Sequence, residues 1–314
     1  MKRGIKELAP IRAGPFFINM NNPYTQKFND IKMKLNILKT NAANTTKWKY
    51  KMLVLDLDDT LLRDDYSISS HTKKLLIEAQ KKGVTVVLAS GRPTPAMMQY
   101  AEELQLADFD SYMISFNGAV ATSLIDNKIL FESSLTQTEV HSLHDFSIEN
   151  NVHILTYSEK GIISETDSEY IDIEVKLTGI PHHKVPCFKT EITSTAVKCI
   201  LLEHPDYLKQ VEKKLKAERP DLSMSRSKPF FLEVMPHGID KASSIDFLAK
   251  KLGIEQSEII AVGNAGNDLT MIKYAGLGVW VDNVTPELRY HADCIVASNN
   301  NDGVAEVIER FILN

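Results

Sequence analysis

The chain has 314 residues, enough for two domains, and its 43% apolar and 25% charged content is that of a soluble globular protein. Its net charge of −5 is unevenly spread: residues 1–51 carry 11 Lys/Arg against 2 Asp/Glu, and the remainder 25 against 39, so the acidic body argues against nucleic acid as the main partner. No apolar run approaches the roughly 18 residues of a membrane span, and Cys187, Cys199 and Cys294 show no paired spacing, which suits free thiols in a reducing, cytoplasmic setting.

Residues 1–51 lack sustained periodicity, and no apolar stretch with a cleavage site marks a secretory signal. They read as an N-terminal extension, either a disordered basic tail or a stretch upstream of a true start near Met52. Met52 to Leu55 is an apolar run suited to a strand buried on both faces of a parallel sheet. Asp56, Asp58 and Asp59 follow at once, then Thr60 and two leucines. Three carboxylates in four positions at the end of a buried strand are costly unless a cation sits among them. The carboxyl ends of strands in an open α/β sheet are also where ligands bind.

Apolar positions Leu75, Leu76 and Ala79 predict a helix over 69–82, with Ser69 as N-cap and Gly83 ending it. A second buried strand, 84–89, runs into Ser90-Gly91-Arg92-Pro93, and a helix follows over 94–104. A hydroxyl at a strand end with glycine beside it and a helix ahead can present O–H and N–H groups to an anion. Residues 112–116 form a third strand, followed by Asn117-Gly118-Ala119 and a hairpin turning at Asp126-Asn127.

From 133 to 227 helices (136–150, 205–219) alternate with β-rich pieces (152–157, 196–202), which suggests an α+β module inserted into a doubly wound one. His182 and His183, beside Pro181 and without a third ligand at helical spacing, read as loop residues rather than a metal site. The core is expected to resume with 230–235, then Pro236-His237-Gly238 and a helix over 241–251 capped by Asp240. Lys241 at a helix start is electrostatically awkward unless an anion is bound there. A last motif-bearing strand, 259–262, leads into Gly263-Asn264-Ala265-Gly266-Asn267-Asp268.

Taken together, these four segments resemble the four motifs of the haloacid dehalogenase superfamily, in order and spacing, over about residues 51–314. The Asp56-Asp58 pair resembles its first motif, Ser90 its second, Glu233 with Pro-x-Gly and Lys241 its third, and Asn267-Asp268 its fourth. Asn264 departs from that fourth motif, where an aspartate is usual. The strand ending in Asn117-Gly118-Ala119 resembles the Cof-like type IIB phosphatases.

The resemblance implies an α/β fold, a doubly wound Rossmann-like core with an inserted C2B-type cap, the cap being an antiparallel sheet with helices on one face. It divides the chain into an extension (1–51), a first core part (52–132), the cap (133–227) and a second core part (228–314). It implies Asp56 as nucleophile and Asp58 as general acid/base, because one carboxylate must attack phosphorus while the other protonates the leaving oxygen. Leu57, Ser90, Gly91, Lys241 and Asn267 are implied to bind phosphate, Asp56, Asp58, Asn264 and Asp268 to hold Mg2+, and Arg92 and Asn117 to lie near the substrate. The implied activity is magnesium-dependent hydrolysis of a small phosphorylated metabolite by a monomer or weak homodimer. Sugar phosphates, pyridoxal phosphate and a flavin-pathway phosphate all stay open as substrates. A phosphomutase-type phosphoryl transferase and a catalytically weakened binding module are the alternatives.

Overall fold

A computed structural model describes residues 49–158 and 160–314 of the chain. Its strands are β1 (Met52–Leu55), β2 (Thr85–Ala89), β3 (Tyr112–Ser115), β4 (Val120–Ser123), β5 (Lys128–Glu132), β6 (His153–Ser158), β7 (Gly161–Ser164), β8 (His182–Lys184), β9 (Cys199–Leu202), β10 (Ser223–Lys228), β11 (Phe231–Met235), β12 (Ile259–Gly263), β13 (Leu277–Val281) and β14 (Cys294–Val296).

Two sheets result. The larger runs β14-β13-β12-β1-β2-β3-β4-β5. It is parallel from β14 to β3 and closed by the antiparallel pairs β3–β4 and β4–β5. All four residues of β1 are fully buried, with β12 on one side and β2 on the other, which is why the run is apolar without alternation. The chain winds outward from β1 through β2 and β3, and later returns on the opposite side of β1 as β12. The ends of β1 and β12 therefore flank a topological switch point, the crevice where open α/β sheets bind ligands.

The local signals hold along this core. Ser69 accepts from the Thr72 amide at the start of helix Ser70–Lys81, and Gly83 follows it at φ +90°. Helix Lys241–Leu252 is capped by Asp240, which accepts from the Ser243 amide at 2.8 Å. The core also reaches further back than Met52. Tyr50 is buried in the main apolar cluster, and the Lys51 backbone bonds to Glu258 and Thr85 at 2.8 Å each. The extension expected over 1–51 thus overlaps the core at Tyr50 and Lys51, and its residues 1–48 lie outside the described residues.

The second sheet, β10-β11-β9-β6-β7-β8, is antiparallel except for the β7–β8 pair. One face carries Ile154, Ile163, Leu201 and Leu232, which pack against helices Gln137–Glu149 and Pro205–Glu218. The other face carries Leu155, Ile162, Ile200 and Phe231, which pack against Ile171 of helix Glu169–Thr178. Three expectations are corrected here. Helices lie on both faces of this sheet, because successive strand residues are apolar in both directions. His182 and His183 form part of edge strand β8, paired with β7, rather than a loop.

The expected boundary at 228 moves as well. Residues 231–235 are buried on both faces and need strand partners on both edges, which β9 and β10 supply. The return to the core therefore comes after Met235. Among the described residues no helix is long and apolar enough to cross a membrane.

Candidate active site

Three strand ends converge on one cavity, lined by Asp56 and Asp58 after β1, Ser90 to Arg92 after β2, and Asn264 and Asn267 after β12. The Asp56 carboxylate is buried. Its Oδ1 accepts from Lys241 Nζ at 2.7 Å, and its Oδ2 lies 3.0 Å from the Thr60 hydroxyl. That hydroxyl is also 3.2 Å from Asn264 Oδ1, so one proton is shared between the two oxygens. Burial pushes the Asp56 carboxyl up to about 7, with the Asp268 charge adding to the rise and Lys241 opposing it.

Lys241 is fully buried and sits between Asp56 and Asp268, 2.6 Å from the latter, with the Ala89 carbonyl at 2.8 Å. Burial by itself would depress this lysine, yet the two carboxylates hold it above the ordinary lysine range. The helix start at Lys241 is brought to the site by a close approach of backbones. Gly118, at φ +106°, would put a Cβ 2.1 Å from the Asp240 carbonyl, so only glycine fits the turn after β3.

Asp58 points the other way, to Arg92, which donates from Nε at 2.9 Å and Nη2 at 2.7 Å. Both carboxylate oxygens are thereby engaged in a fork geometry. The guanidinium lies over the rings of Tyr66 and Tyr100 at 5.7 and 5.4 Å. Ser90 accepts from the Arg92 amide at 3.1 Å through its hydroxyl, and its backbone carbonyl accepts from the Asn117 amide at 2.9 Å. The Leu57 side chain is buried in the main apolar cluster, which leaves only its backbone toward the loop.

Asp268 differs from its expected part as a metal ligand. It has no exposed surface and does not line the cavity. Its Oδ1 accepts from Lys241, and its Oδ2 accepts from the Asn264 and Ala265 amides at 3.0 Å each. Asn267 donates to Asn117 Oδ1 at 3.0 Å, while Asn117 in turn donates to Glu233.

Among the described residues no group of three or more His, Cys, Asp or Glu side chains is arranged to hold a metal ion. A cation at this cavity would therefore draw on mixed oxygens. The Asp56 carboxylate, the Asn264 amide oxygen and backbone carbonyls are hard donors of the kind Mg2+ takes. Two buried carboxylates sharing one ammionium leave an excess of negative charge, which such a cation offsets. The residues present fit the ion.

Sequence reasoning missed the roof of the cavity, which helix Glu169–Thr178 supplies as Glu174 and Thr178 and the second sheet with its flanks as Lys198, Ser227, Lys228 and Phe231. Lys198 is buried, 2.7 Å from both Glu233 Oε2 and the Gly91 carbonyl. The nearest thing to a signal is helix Glu169–Thr178, whose buried positions include two polar residues, Glu174 and Thr178, at helical spacing from Ile171. Lys228 carried none.

The family model for a haloacid dehalogenase-like hydrolase matches residues 53–308. The 5-amino-6-(5-phospho-D-ribitylamino)uracil phosphatase YcsE of Bacillus subtilis (strain 168) is 30% identical over 264 residues, covering 84% of this chain and 96% of its own. The crystal structure of a haloacid dehalogenase-like hydrolase from Bacteroides thetaiotaomicron is 37% identical, with a TM-score of 0.74 over 83% of this chain and 99% of that one. The subclass IIB sugar phosphatase BT4131, 24% identical, shares the fold with a TM-score of 0.73 over 83% of this chain and 98% of its own. By the match across most of its length, the chain belongs to the haloacid dehalogenase-like hydrolases.

Proposed function

We propose that the protein hydrolyses a small phosphorylated metabolite through an aspartyl-phosphate on Asp56. The observation that carries this reading is the Asp56 carboxylate, buried at the end of β1 with Lys241 Nζ at 2.7 Å and opening into the cavity it shares with Asp58 and Ser90. An anionic nucleophile and a phosphate dianion repel each other, and Lys241 offsets that repulsion from the buried side. Asp56 attacks phosphorus, and the P–O bond to the leaving alkoxide breaks. Asp58 supplies the proton to that oxygen and later takes one from water as the acyl phosphate is hydrolysed.

Asp58 first has to exchange its Arg92 partner, since both its oxygens are engaged at rest. Ser90 and the Gly91 backbone bind the phosphoryl oxygens, and Asn267 holds Asn117 against the same floor. Mg2+, held by Asp56, the Asp58 carbonyl and Asn264, supplies charge neutralisation of the transferring group when bound. Asp268 is a positioning residue in this scheme: it fixes Lys241 and the loop bearing Asn264.

The leaving groups named for relatives, a sugar and a ribitylaminouracil, fit a site that accepts metabolites of modest size. A reducing, cytoplasmic setting belongs to the same proposal, supported by three free thiols. The test is a phosphate-release screen over a panel of phosphorylated metabolites with magnesium present, run on the wild type and on Asp56→Asn. The wild type is expected to release phosphate from at least one member, and the folded Asp56→Asn protein to lose that activity by at least about a thousandfold, given the size of the acceleration such reactions need. Turnover near the wild-type level in Asp56→Asn removes the mechanism. Phosphate transfer to a second sugar without net release favours a mutase.

A further inference from the structure

Four cations line the cavity or its floor, and they are held very differently. Lys241 is locked between two buried carboxylates. Arg92 is committed to both oxygens of Asp58, with 6% of its side chain exposed. Lys198 is paired with Glu233, itself 3% exposed. Lys228 alone rests on an exposed partner, Asp59, whose side chain is 42% exposed and whose Oδ2 lies 2.6 Å from Nζ. A pair with so exposed a partner contributes about 0–1 kcal/mol and is readily given up. The Lys241 and Lys198 pairs are not, because breaking one strands a charge away from water.

The direction of Lys228 is built into the second sheet. Consecutive strand residues point to opposite faces, yet Ser227 and Lys228 both line the cavity. The register of β10 against β11 shifts between Arg226 and Lys228, and this bulge turns both side chains inward. Ser227 meets Glu233 there, while Lys228 reaches the loop after β1. The receiving end is equally fixed. Asp59 adopts φ 59°, and its carbonyl accepts from Asn283 Nδ2 at 2.7 Å. Asp56 and Asp58 are near enough to reinforce the positive charge on Lys228.

We infer that Lys228 is a phosphate-binding residue carried by the cap, paired with Asp59 while the site is empty and transferred to the substrate's phosphoryl oxygens on binding. This rests on the phosphatase reading of the cavity. It assigns the cap a direct contact with the phosphoryl group, and it makes Asp59 the competitor that holds the lysine in reserve.

A competitor and a structural latch give opposite signatures. The probe is inorganic phosphate, titrated calorimetrically into the full chain in magnesium buffer, so that the readout does not depend on turnover. Lys228→Met is expected to weaken phosphate binding about tenfold, the loss of one charge-assisted hydrogen bond. Lys228→Arg should keep most of the affinity. Asp59→Asn should bind phosphate as tightly as the wild type or more tightly, because the lysine is released.

Phosphate affinity unchanged within twofold in Lys228→Met overturns the inference. So does an Asp59→Asn variant weakened as much as Lys228→Met, the result of breaking a purely structural bridge. Melting curves show that each variant is folded, and Asp59→Gly provides a second removal of the carboxylate that the positive φ favours. A wild type that binds phosphate but releases none from any substrate counts against the phosphatase reading instead, and leaves the binding comparison intact.

Discussion

At the residue scale the site is a problem in charge placement. Asp56 and Asp58 line one cavity with Asp268 buried behind them, and each is tied to a specific cation. The one departure from the usual fourth motif, Asn264, removes a further negative charge. Its amide oxygen is a hard donor, but it brings no charge to a magnesium site. Asn264→Asp is therefore expected to lower the half-saturating magnesium concentration several-fold, read from a magnesium titration of phosphate release. An unchanged value would show that Asn264 does not touch the ion. Asp268→Ala should be more damaging than Asn264→Ala, because it frees Lys241 and two backbone amides at once.

At the element scale, helix Glu169–Thr178 turns a carboxylate, Glu174, into the roof of the cavity. Burial raises the Glu174 carboxyl above the ordinary glutamate range, against the opposing pull of Lys198 and Tyr157. The sign follows from linkage. A raised native value means that the folded state holds the proton more tightly. The stabilisation is complete below the unfolded value and is lost as pH rises through the folded one. Relative to Glu174→Gln, the wild type should therefore lose melting temperature as pH rises from 4 to 8. A gap that stays flat across that range would mean that ionised Glu174 is fully compensated where it lies.

For the whole molecule, the two sheets are joined through a buried polar bridge rather than through apolar packing alone. Lys198, Glu233, Asn117 and Gly91 link the second sheet to the floor of the first. Gly91 is hemmed in by the same groups, since a Cβ there would lie 3.0 Å from Glu233 Oε1 and 3.2 Å from Asn117 Oδ1. Lys198→Met leaves Glu233 buried and short of its cation, and should cost about 3–5 kcal/mol of stability. Adding Glu233→Gln should recover part of that loss in denaturant melts. A single variant as stable as the wild type would show that water reaches the pair.

The sequence by itself determined the strands of the core and the identity of the residues at their ends. Those features are local: an apolar run buried on both faces, a capping serine or aspartate, a glycine at positive φ. Parallel strands β1, β2 and β12 then bring their carboxyl ends together, so Asp56, Ser90 and Asn264 meet there without further instruction, whereas Lys241 arrives on a helix that follows the second sheet. Tertiary structure decided what depends on partners far along the chain. Phe231–Met235 reads the same as a core strand, and only its pairing with β9 and β10 assigns it to the second sheet. Asp268 reads as a ligand by its motif, and only the approach of Lys241 and two amides turns its oxygens away from the cavity. Lys198 and Lys228 carry no local mark, because a lysine's role is set by the carboxylate it meets, and those carboxylates lie 35 and 169 residues away.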